Sequence, residues 1–415
     1  MASRRNVVVT GMGVASPLGC TAGGFWDGLL TGRAGIGPVT RFDPARFACR
    51  LAGEVDDGRL DPVDGPFSFE IKRMSTFVRH ALHAAGRAIG DSRLFPDGRP
   101  PPGGAVFMGV AMGGLPSIEA GVLRQERHGV RKTTPFLIPS LIPNMAASMI
   151  ALRHAITAPQ RTVAGACASG SQAIGEAAEA IRSGACDWAL AGGAEAVTTP
   201  ITWSGFEAMH ALSPGEDAGR APRPFDRARD GMICGEGAAV FVLEERSRAE
   251  ARGAAILGAV GGYATNSGCG EDITGIAVAD TAACMAAALD DAGLAPSEIG
   301  CVFAQASGMV RGDAAELAAV RATFGPARLP AVTSIKGHTG YLFAANGPVN
   351  VAAALLAMRD RLVPPTRNLD APDPEFGEFD IPTAARRAEP RHCLVNAFGF
   401  GGINATLVVS RPDLS

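Results

Sequence analysis

The stretch Thr162-Val-Ala-Gly-Ala-Cys-Ala-Ser-Gly-Ser171 decides how this chain folds. Its apolar start predicts a short buried strand, its small residues predict a sharp turn, and a helix is predicted from about Ala168 to Ser183. Cys167 then stands at the N-terminus of a helix, where the backbone dipole favours the thiolate form of a cysteine. The small neighbours leave room for a bulky acyl group on the sulfur. The pattern therefore indicates an α/β fold with a candidate nucleophile at Cys167; the alternative is a buried structural cysteine.

Composition narrows the classes of protein to consider. The chain has 415 residues, 47% of them hydrophobic, which is enough to bury a large core. The net charge is −3 with both signs mixed, so nothing in the composition indicates binding to nucleic acid or to a membrane surface. No apolar run reaches the length of a membrane span, and we expect a soluble, cytoplasmic protein.

The cysteines and histidines give no sign of a metal site. The nine cysteines form no Cys-x-x-Cys pair and their number is odd, which argues against a disulfide framework and a structural zinc site. His80 and His83 lie three residues apart on a predicted helix, but no carboxylate or cysteine stands beside them in the sequence. We therefore predict that they lie on a solvated helix face, and that the protein uses neither a metal nor a cofactor.

Strand and helix patterns alternate along the chain, which predicts a layered α/β architecture. The pattern restarts after Arg252-Gly253, so we predict two similarly built halves with a boundary near residue 254. The strands are predicted at Val7–Thr10, Ala105–Val110, Ala189–Glu195, Ala238–Leu243, Ile256–Val260, Val302–Ala306 and Ala331–Ile335. The helices are predicted at Arg79–Ile89, Asn144–Arg153, Thr281–Asp291, Ala314–Phe324 and Val349–Arg359. Pro364–Pro390 is predicted to be a long surface connection.

Several long motifs, in order along the chain, resemble those of the β-ketoacyl synthase family of condensing enzymes. They are Val7–Val14, Glu70–Phe77, the turn around Cys167, Arg223–Ala238 and Asn396–Asn404. The resemblance implies a thiolase-like fold, in which two duplicated α/β halves form a layered αβαβα sandwich. The halves would be residues 1–254, carrying Cys167, and residues 255–415, carrying Gln305, Lys336 and Tyr341.

The resemblance also implies a site of three parts, of which the pair of histidine donors is altered in this chain. In the family, a thiolate takes the acyl chain, two histidines usually hold the malonyl carbonyl during decarboxylation, and backbone N–H groups stabilise the oxyanion. Counting back from Asp313 and Glu316, Gln305 occupies the first histidine position, and Tyr341 occupies the second. Gln can donate a hydrogen bond but cannot titrate, and Tyr is a poor base at neutral pH.

The remaining parts of the second motif differ in detail. Lys336 matches the family lysine, whereas Asn350 stands where an acidic residue is usual. His338 lies three residues before Tyr341, and a rearranged site would have to turn its ring into the place of the missing donor. We therefore expect no efficient decarboxylative condensation by this chain alone.

Two further sets of residues match parts of the family's acyl-binding site. Phe398-Gly-Phe-Gly-Gly402 resembles the gating loop, which implies that the N–H groups of Phe400 and Cys167 form the oxyanion hole. Phe398 of this loop is also predicted to bind substrate. Five further residues match segments that line the acyl pocket near the dimer interface, although by pattern alone the five are equally core or interface residues. The five are Met112, Leu115, Phe136, Leu137 and Ile138.

The altered motifs look like those of the chain length factor, or ketosynthase β subunit, of type II polyketide synthases. The resembling stretches are residues 302–306, 339–351 and 362–370. Members of the aromatic-polyketide type usually carry Gln where this chain has Cys167. The resemblance therefore also fits a chain length factor from a reducing, polyene-type or fatty-acyl-like system. The resemblance implies a heterodimer with a catalytic ketosynthase, or else a homodimer, acting with acyl carrier protein and acyl or malonyl thioesters.

Two alternatives remain open at the level of sequence. The chain would be a stand-alone acyltransferase that uses Cys167 without decarboxylation, because thioester exchange needs the thiolate and the oxyanion hole more than the histidines. The second alternative is a β-ketoacyl carrier-protein synthase with atypical donors. Acylation of Cys167 in an isolated homodimer distinguishes the first alternative from the partner-subunit hypothesis.

Overall fold

The computed structural model describes residues 5–270, 272–326 and 329–414. A mixed ten-stranded sheet runs through the described part of the chain. Eight of its strands are buried at every residue or at all but one, as expected for strands covered on both faces, and their sequences are largely apolar for that reason. In chain order the strands are β1 (Val7–Ala15), β2 (Val106–Gly109), β3 (Gln160–Val163), β4 (Trp188–Glu195), β5 (Gly237–Glu245), β6 (Gly258–Ser267), β7 (Ile299–Phe303), β8 (Ala331–Thr333), β9 (His392–Gly399) and β10 (Ile403–Ser410).

The sheet consists of two sets of five strands with the same topology. The first set has the order β3-β2-β4-β5-β1 and the second has the order β8-β7-β9-β10-β6. In each set the first three strands of this order run parallel, and the last two are joined by antiparallel pairing. Antiparallel pairing of β1 with β6 joins the two sets. The matching order is the structural sign of duplicated halves and confirms the predicted α/β class. The domain boundary near residue 254 stays a prediction.

The longer helices cover the sheet and fill the space beside it. They are α1 (Ala22–Leu30), α2 (Thr76–Ser92), α3 (Leu115–His128), α4 (Met145–Arg153), α5 (Ser169–Arg182), α6 (Pro200–Ala208), α7 (Val278–Ala292), α8 (Val310–Phe324) and α9 (Asn346–Asp360). Short helical segments also occur at Ser68–Ile71, Leu137–Leu141, Arg246–Ala251 and Lys336–Thr339. The part of the chain that the structure describes contains no helix whose length and apolar character suit a membrane span.

The helices α5 and α9 are equivalent elements of the two halves and meet inside the protein. Helix α5 follows β3 and α9 follows β8, which are the third strands of the two sets in chain order. Helix α9 is buried from Asn346 to Met358. A helix that is apolar all round is one that packs on every side. Gly170 and Gly347 allow the close approach of the segments at the start of these helices, since an added Cβ would collide with the Ala344 carbonyl oxygen or with the Ser171 side chain. This contact brings the turn around Cys167 next to the segment that carries Tyr341.

Three predictions from the sequence need correction. The solvated face predicted for His80 and His83 is wrong, because both side chains are buried beneath the loop that carries Asp57 and Asp61. The strand predicted at Val302–Ala306 ends at Phe303. The Ala304 N–H still donates to the Thr333 carbonyl oxygen of the neighbouring strand, but from the Ala304 carbonyl onward the backbone binds side chains. The connection Pro364–Pro390 is not wholly a surface loop: Leu369 and Phe376 within it are buried.

Candidate active site

Cys167 lies where the predicted turn joins strand to helix. Strand β3 ends at Val163, a single helical turn spans Ala166–Ala168, and α5 begins at Ser169, so the predicted turn and helix are confirmed. The prediction that the strand is buried is wrong, because β3 lies at the edge of the sheet and its residues are exposed or half-buried. Ala166 has a φ of 46°, in the left-handed region, which makes the turn sharp enough to place the thiol at the head of the helix. Cys167 is nearly buried and lines a cavity of about 740 Å³.

Burial opposes the ionisation of this thiol. It raises the pKa of Cys167 to about 11, and the carboxylate of Glu195 acts in the same direction. A hydrogen bond with the Tyr341 hydroxyl lowers the pKa, but it does not offset the burial. The sequence pattern predicted that the helix dipole favours a thiolate, whereas burial in the folded protein favours the thiol, because the thiolate loses its hydration there.

Gln305 and Tyr341 come together beside Cys167, although they lie far from it in sequence. Both line the cavity, and the Gln305 Nε2 donates hydrogen bonds to the Tyr341 hydroxyl and, over 2.9 Å, to the Phe398 carbonyl oxygen. The carbonyl oxygen can only accept, so it fixes which end of the Gln305 amide carries the nitrogen. Burial and the neighbouring Cys167 hold the pKa of Tyr341 well above its ordinary value. Tyr341 is therefore a neutral hydroxyl in this site.

Side chains hold the backbone on both sides of Gln305. Glu316 accepts hydrogen bonds from the N–H groups of Gln305 and Ala306 at 2.9 and 2.8 Å. Asp313 accepts from the N–H of Ser307 at 3.0 Å, and the Asn396 amide donates to Glu316 at 2.9 Å. Burial raises the pKa of Asp313 to about 7 and also raises that of Glu316.

Lys336 binds the backbone just before Gln305 and does not line the cavity. Its Nζ donates to the Ala304 carbonyl oxygen at 2.7 Å and to the Asn350 Oδ1 at 3.3 Å, while the Asn350 Nδ2 donates to the same carbonyl at 3.2 Å. Burial lowers the pKa of Lys336 to about 7, and the nearby Glu316 and Asp313 only partly oppose this effect. Lys336 thus supports the residue preceding Gln305, and its predicted catalytic role stays a prediction.

The His338 ring is turned away from the cavity. Its Nδ1 lies 3.1 Å from the Arg33 carbonyl oxygen and its Nε2 lies 3.0 Å from the Pro365 carbonyl oxygen. The side chain is fully buried among these groups and does not line the cavity. Since both ring nitrogens already face backbone acceptors, His338 does not stand in the place of a missing donor.

The residues predicted to line the acyl pocket fall into two groups. Met112 and Phe398 line the cavity, and Glu195 holds the turn of Met112 by accepting from the N–H groups of Ala111, Met112 and Gly113 at 2.8, 3.1 and 2.9 Å. The other four lie outside the cavity of the single chain; Ile138, for example, is 63% exposed. These four, whose acyl-binding role stays a prediction, are Leu115, Phe136, Leu137 and Ile138.

The loop Phe398–Gly402 lies over the cavity next to Cys167. A Cβ added at Gly399 would lie 3.0 Å from the Cys167 backbone nitrogen, so glycine permits this close approach. Gly401 and Gly402 have φ values of 81° and 76°, which favour glycine. The Phe400 side chain is 41% exposed at the mouth. The oxyanion hole of Phe400 and Cys167 N–H groups stays a prediction.

Sequence reasoning missed a row of aromatic rings along the cavity wall. Tyr341 packs edge-on against Phe343 at 5.3 Å between ring centroids, Phe343 stacks on Phe206 at 5.4 Å, and Phe206 lies 6.4 Å from Phe400. All four rings line the cavity. Phe206 comes from α6, and no local pattern connects it with Tyr341, so only the packing of distant elements shows the row.

The described residues include no group of three or more His, Cys, Asp or Glu side chains placed to hold a metal ion. Fold and site together define a thiolase-like protein with a thiol at a helix start and neutral donors around it. Family models for the β-ketoacyl synthase N-terminal domain match residues 4–249, and those for the C-terminal domain match residues 257–370. The chain belongs to the β-ketoacyl synthase family.

Individual relatives come from both fatty-acid and polyketide systems. The chain is 37% identical to 3-oxoacyl-[acyl-carrier-protein] synthase 2 of Coxiella burnetii, over 98% of this chain and 99% of the relative. It is 34% identical to the synthase of the same name from Staphylococcus aureus, over 99% of each chain. Among solved structures it resembles the ishigamide ketosynthase/chain length factor, with a TM-score of 0.91, 31% identity and coverage of 99% and 100%. It also resembles a type II PKS acyl-carrier protein complex with its ketosynthase, with a TM-score of 0.90, 28% identity and the same coverage.

Proposed function

We propose that this chain is the chain length factor that partners a catalytic ketosynthase in decarboxylative Claisen elongation on acyl carrier protein. The observation that carries the proposal is the hydrogen bonding of Gln305. Decarboxylation requires donors that are free to hold the malonyl carbonyl as charge develops on it. Both N–H groups of Gln305 are already used, one by the Tyr341 hydroxyl and one by the Phe398 carbonyl.

The other polar groups of the site do not replace those donors. The Tyr341 hydroxyl, with its raised pKa, interacts with Cys167 and is a poor base. The His338 ring nitrogens face the Arg33 and Pro365 carbonyl oxygens. A condensing step that needs a pair of free donors therefore belongs to a different chain, and the proposal assigns it to the partner.

An exposed apolar face supports a partner subunit. Helix α3 has no buried residue in the single chain, and a face of this kind on a soluble protein marks an interaction surface. Its apolar members and those of the following segment, which we call the α3 face, are Ile118, Val122, Leu123, Val130 and Ile138. We propose that a catalytic ketosynthase covers the α3 face, with a second copy of this chain as the alternative occupant. The remaining partners are acyl carrier protein and its acyl and malonyl thioesters.

The test compares the purified chain with its complex with a ketosynthase that has Cys and two His donors. Each sample receives an acyl primer and malonyl carrier protein, and ketoacyl products are measured by mass spectrometry. We expect products from the complex and none above background from the isolated chain. Robust ketoacyl product from the homogeneous isolated chain contradicts the proposal.

The same experiment decides a second candidate function. The 37% identity to a 3-oxoacyl-[acyl-carrier-protein] synthase 2 over nearly the whole chain favours a synthase with atypical donors. Such an enzyme elongates without a partner and loses this activity in the variant Cys167→Ala. The partner subunit keeps its effect on the complex in that variant, because the cysteine that carries the growing chain belongs to the ketosynthase.

A further inference from the structure

Phe343 stands at a position where the backbone favours a small residue. It begins the helical turn Phe343–Ala345 before α9 and has a φ of 50°, in the left-handed region that bulky residues rarely adopt. The equivalent turn of the first half, Ala166–Ala168 before α5, begins with a small residue, and Ala166 has a φ of 46°. The same turn therefore forms without an aromatic ring, and strained conformations of this kind concentrate at functional sites.

The Phe343 ring lies at the centre of the row of aromatic rings. Tyr341 meets it edge-on at 5.3 Å between ring centroids, and Phe206 stacks on it at 5.4 Å with 27° between the ring planes. Cys167 belongs to the same packed cluster of side chains as these three rings, and the row continues to Phe400, which is exposed at the mouth of the cavity. An acyl chain that lies between Cys167 and the mouth therefore has aromatic rings beside it.

We infer that Phe343 is a specificity-determining residue, and that the row of aromatic rings selects flat, conjugated acyl chains over saturated chains of equal length. In a conjugated chain, double bonds alternate with single bonds. The inference rests on the proposed function in one respect, because it names the class of acyl group that the cavity takes in that role. The binding preference itself is a property of this chain alone.

Two properties of a conjugated chain suit this wall. Its π electrons form flat faces that stack on aromatic rings, and this attraction adds to the burial of apolar surface. The chain is also rigid, so it loses less conformational freedom on binding than a saturated chain, in which every single bond rotates. The thioether sulfur atoms of methionine make favourable contacts with π systems, and Met112, Met209 and Met309 line the same cavity.

A chain with many carbonyl groups fits the row of aromatic rings less well. Each carbonyl oxygen that is buried on binding needs a hydrogen-bond donor. The side chains of Phe206, Phe343 and Phe400 have no polar atom, and both N–H groups of Gln305 are already bound. The row therefore favours a chain whose flatness comes from carbon–carbon double bonds.

The experiment compares two acids of equal length and charge, fully conjugated decatetraenoic acid and decanoic acid. Each is dialysed to equilibrium against the isolated full-length chain, and the free and bound acid are quantified by mass spectrometry. Stacking on aromatic rings should make the tetraenoic acid bind about 2- to 10-fold more tightly. Met112→Trp fills the cavity and should weaken the binding of both acids. Equal affinities for the two acids, or unchanged binding in Met112→Trp, overturn the inference.

Variants of the rings separate stacking from the burial of apolar surface. Phe343→Leu and Phe206→Leu keep an apolar side chain without a ring, and we expect the two acids to bind each variant with nearly equal affinity. Phe206→Tyr keeps a ring on a half-buried side chain and should keep the preference. Phe324→Leu, a change at a half-buried ring of α8 outside the cavity, is the matched control and should also keep it. If folded Phe343→Leu and Phe206→Leu retain the full preference, the rings do not select the ligand and the inference is wrong.

Thermal unfolding of each variant identifies a folding defect, and Phe206→Leu keeps the test decisive if Phe343→Leu does not fold. No partner, carrier protein or elongation enters the measurement. Equal binding of the two acids therefore removes the selectivity and leaves the partner role to its own test. Ketoacyl product from the isolated chain removes the partner role and leaves the selectivity in place.

Discussion

At the scale of single residues, Gln305 and Tyr341 distinguish the cavity of this chain, because the family usually has histidines at both positions. Gln305 and Tyr341 are neutral across the physiological pH range, so neither exchanges protons as a histidine does. Both side chains line the cavity, and the Gln305 amide donates to the Tyr341 hydroxyl and to the Phe398 carbonyl oxygen. In our proposal, the donors that a malonyl group requires are therefore supplied by the partner.

Met112 provides a residue-scale prediction for the complex with a ketosynthase. Glu195 holds the backbone of its turn, so a change of side chain alters the cavity without moving the wall. Met112→Ala deepens the cavity and Met112→Trp blocks it; we expect longer and shorter products respectively, measured by mass spectrometry of the released chains. Met145→Ala, which lies outside the cavity, is the control. An unchanged length distribution for both variants in stable complexes removes Met112 from the acyl tunnel.

At the scale of elements, the segment from Ala304 to Gly308 is unusual because side chains, not strands, bind much of its backbone. Lys336 and Asn350 hold the first carbonyl, Glu316 and Asp313 hold the following N–H groups, and the Ser334 hydroxyl donates to the Ala306 carbonyl at 2.6 Å. A segment fixed at so many points places Gln305 within a narrow range of positions. The position of the Gln305 side chain is thus fixed by residues that bind the backbone around it.

This buried cluster predicts a pH dependence of stability. The pKa of Lys336 is lowered from 10.5 to about 7 in the folded chain. Between these values the unfolded chain binds a proton that the folded chain does not, so the contribution of Lys336 to stability increases as pH rises. In Lys336→Met we expect the increase between about pH 7 and pH 9 to be smaller, by up to about 1.4 kcal/mol per pH unit.

Urea unfolding at several pH values measures this effect. Lys132→Met, a change at an exposed lysine, is the matched control and should leave the slope unchanged. Comparing slopes removes the constant loss from the broken hydrogen bonds of Lys336. If Lys336→Met and the unmodified chain show parallel pH dependences, Lys336 is protonated to the same extent in the folded and unfolded states.

At the scale of the whole molecule, two halves of equal topology carry unequal chemistry. The equivalent helices α5 and α9 follow β3 and β8 in the chain. Helix α5 begins beside the Cys167 thiol, whereas α9 begins beside Tyr341 and Phe343. The active-site cavity lies between contributions of both halves, so neither half has a complete site. The α3 face extends from the first half into solvent and is where a second protein completes the assembly in our proposal.

A charge on the α3 face tests that assembly. Val122 is 59% exposed in the single chain, and Val122→Lys places a cation where the proposal has an apolar contact. We expect the variant to fold but to lose its complex with the ketosynthase, measured by light scattering during gel filtration. Leu152→Lys, a change at an exposed apolar residue of α4, should leave the complex intact. Normal assembly of Val122→Lys places the partner elsewhere.

The sequence by itself determined the features that depend on neighbouring residues. Small residues around Cys167 dictate the sharp turn, and apolar runs dictate strands covered on both faces, so several of these elements were predicted to within a few residues. Strands β1 and β6 extend to Ala15 and Ser267, beyond their predicted ends at Thr10 and Val260. The long motifs around Gln305, Lys336 and Tyr341 predicted that these residues lie near one another, because matches of that length align the positions of this chain with those of the family's site.

Only the tertiary structure decided how those residues behave. The pKa of Cys167 depends on burial and on Glu195 and Tyr341, which no local pattern connects with it. His80 and His83 are buried because the loop of Asp57 and Asp61 folds over their helix, and the His338 ring faces backbone carbonyls from two distant segments. Ionisation and hydrogen-bond direction are set by atoms close in space, and residues far apart in sequence become close only when the sheet and helices pack.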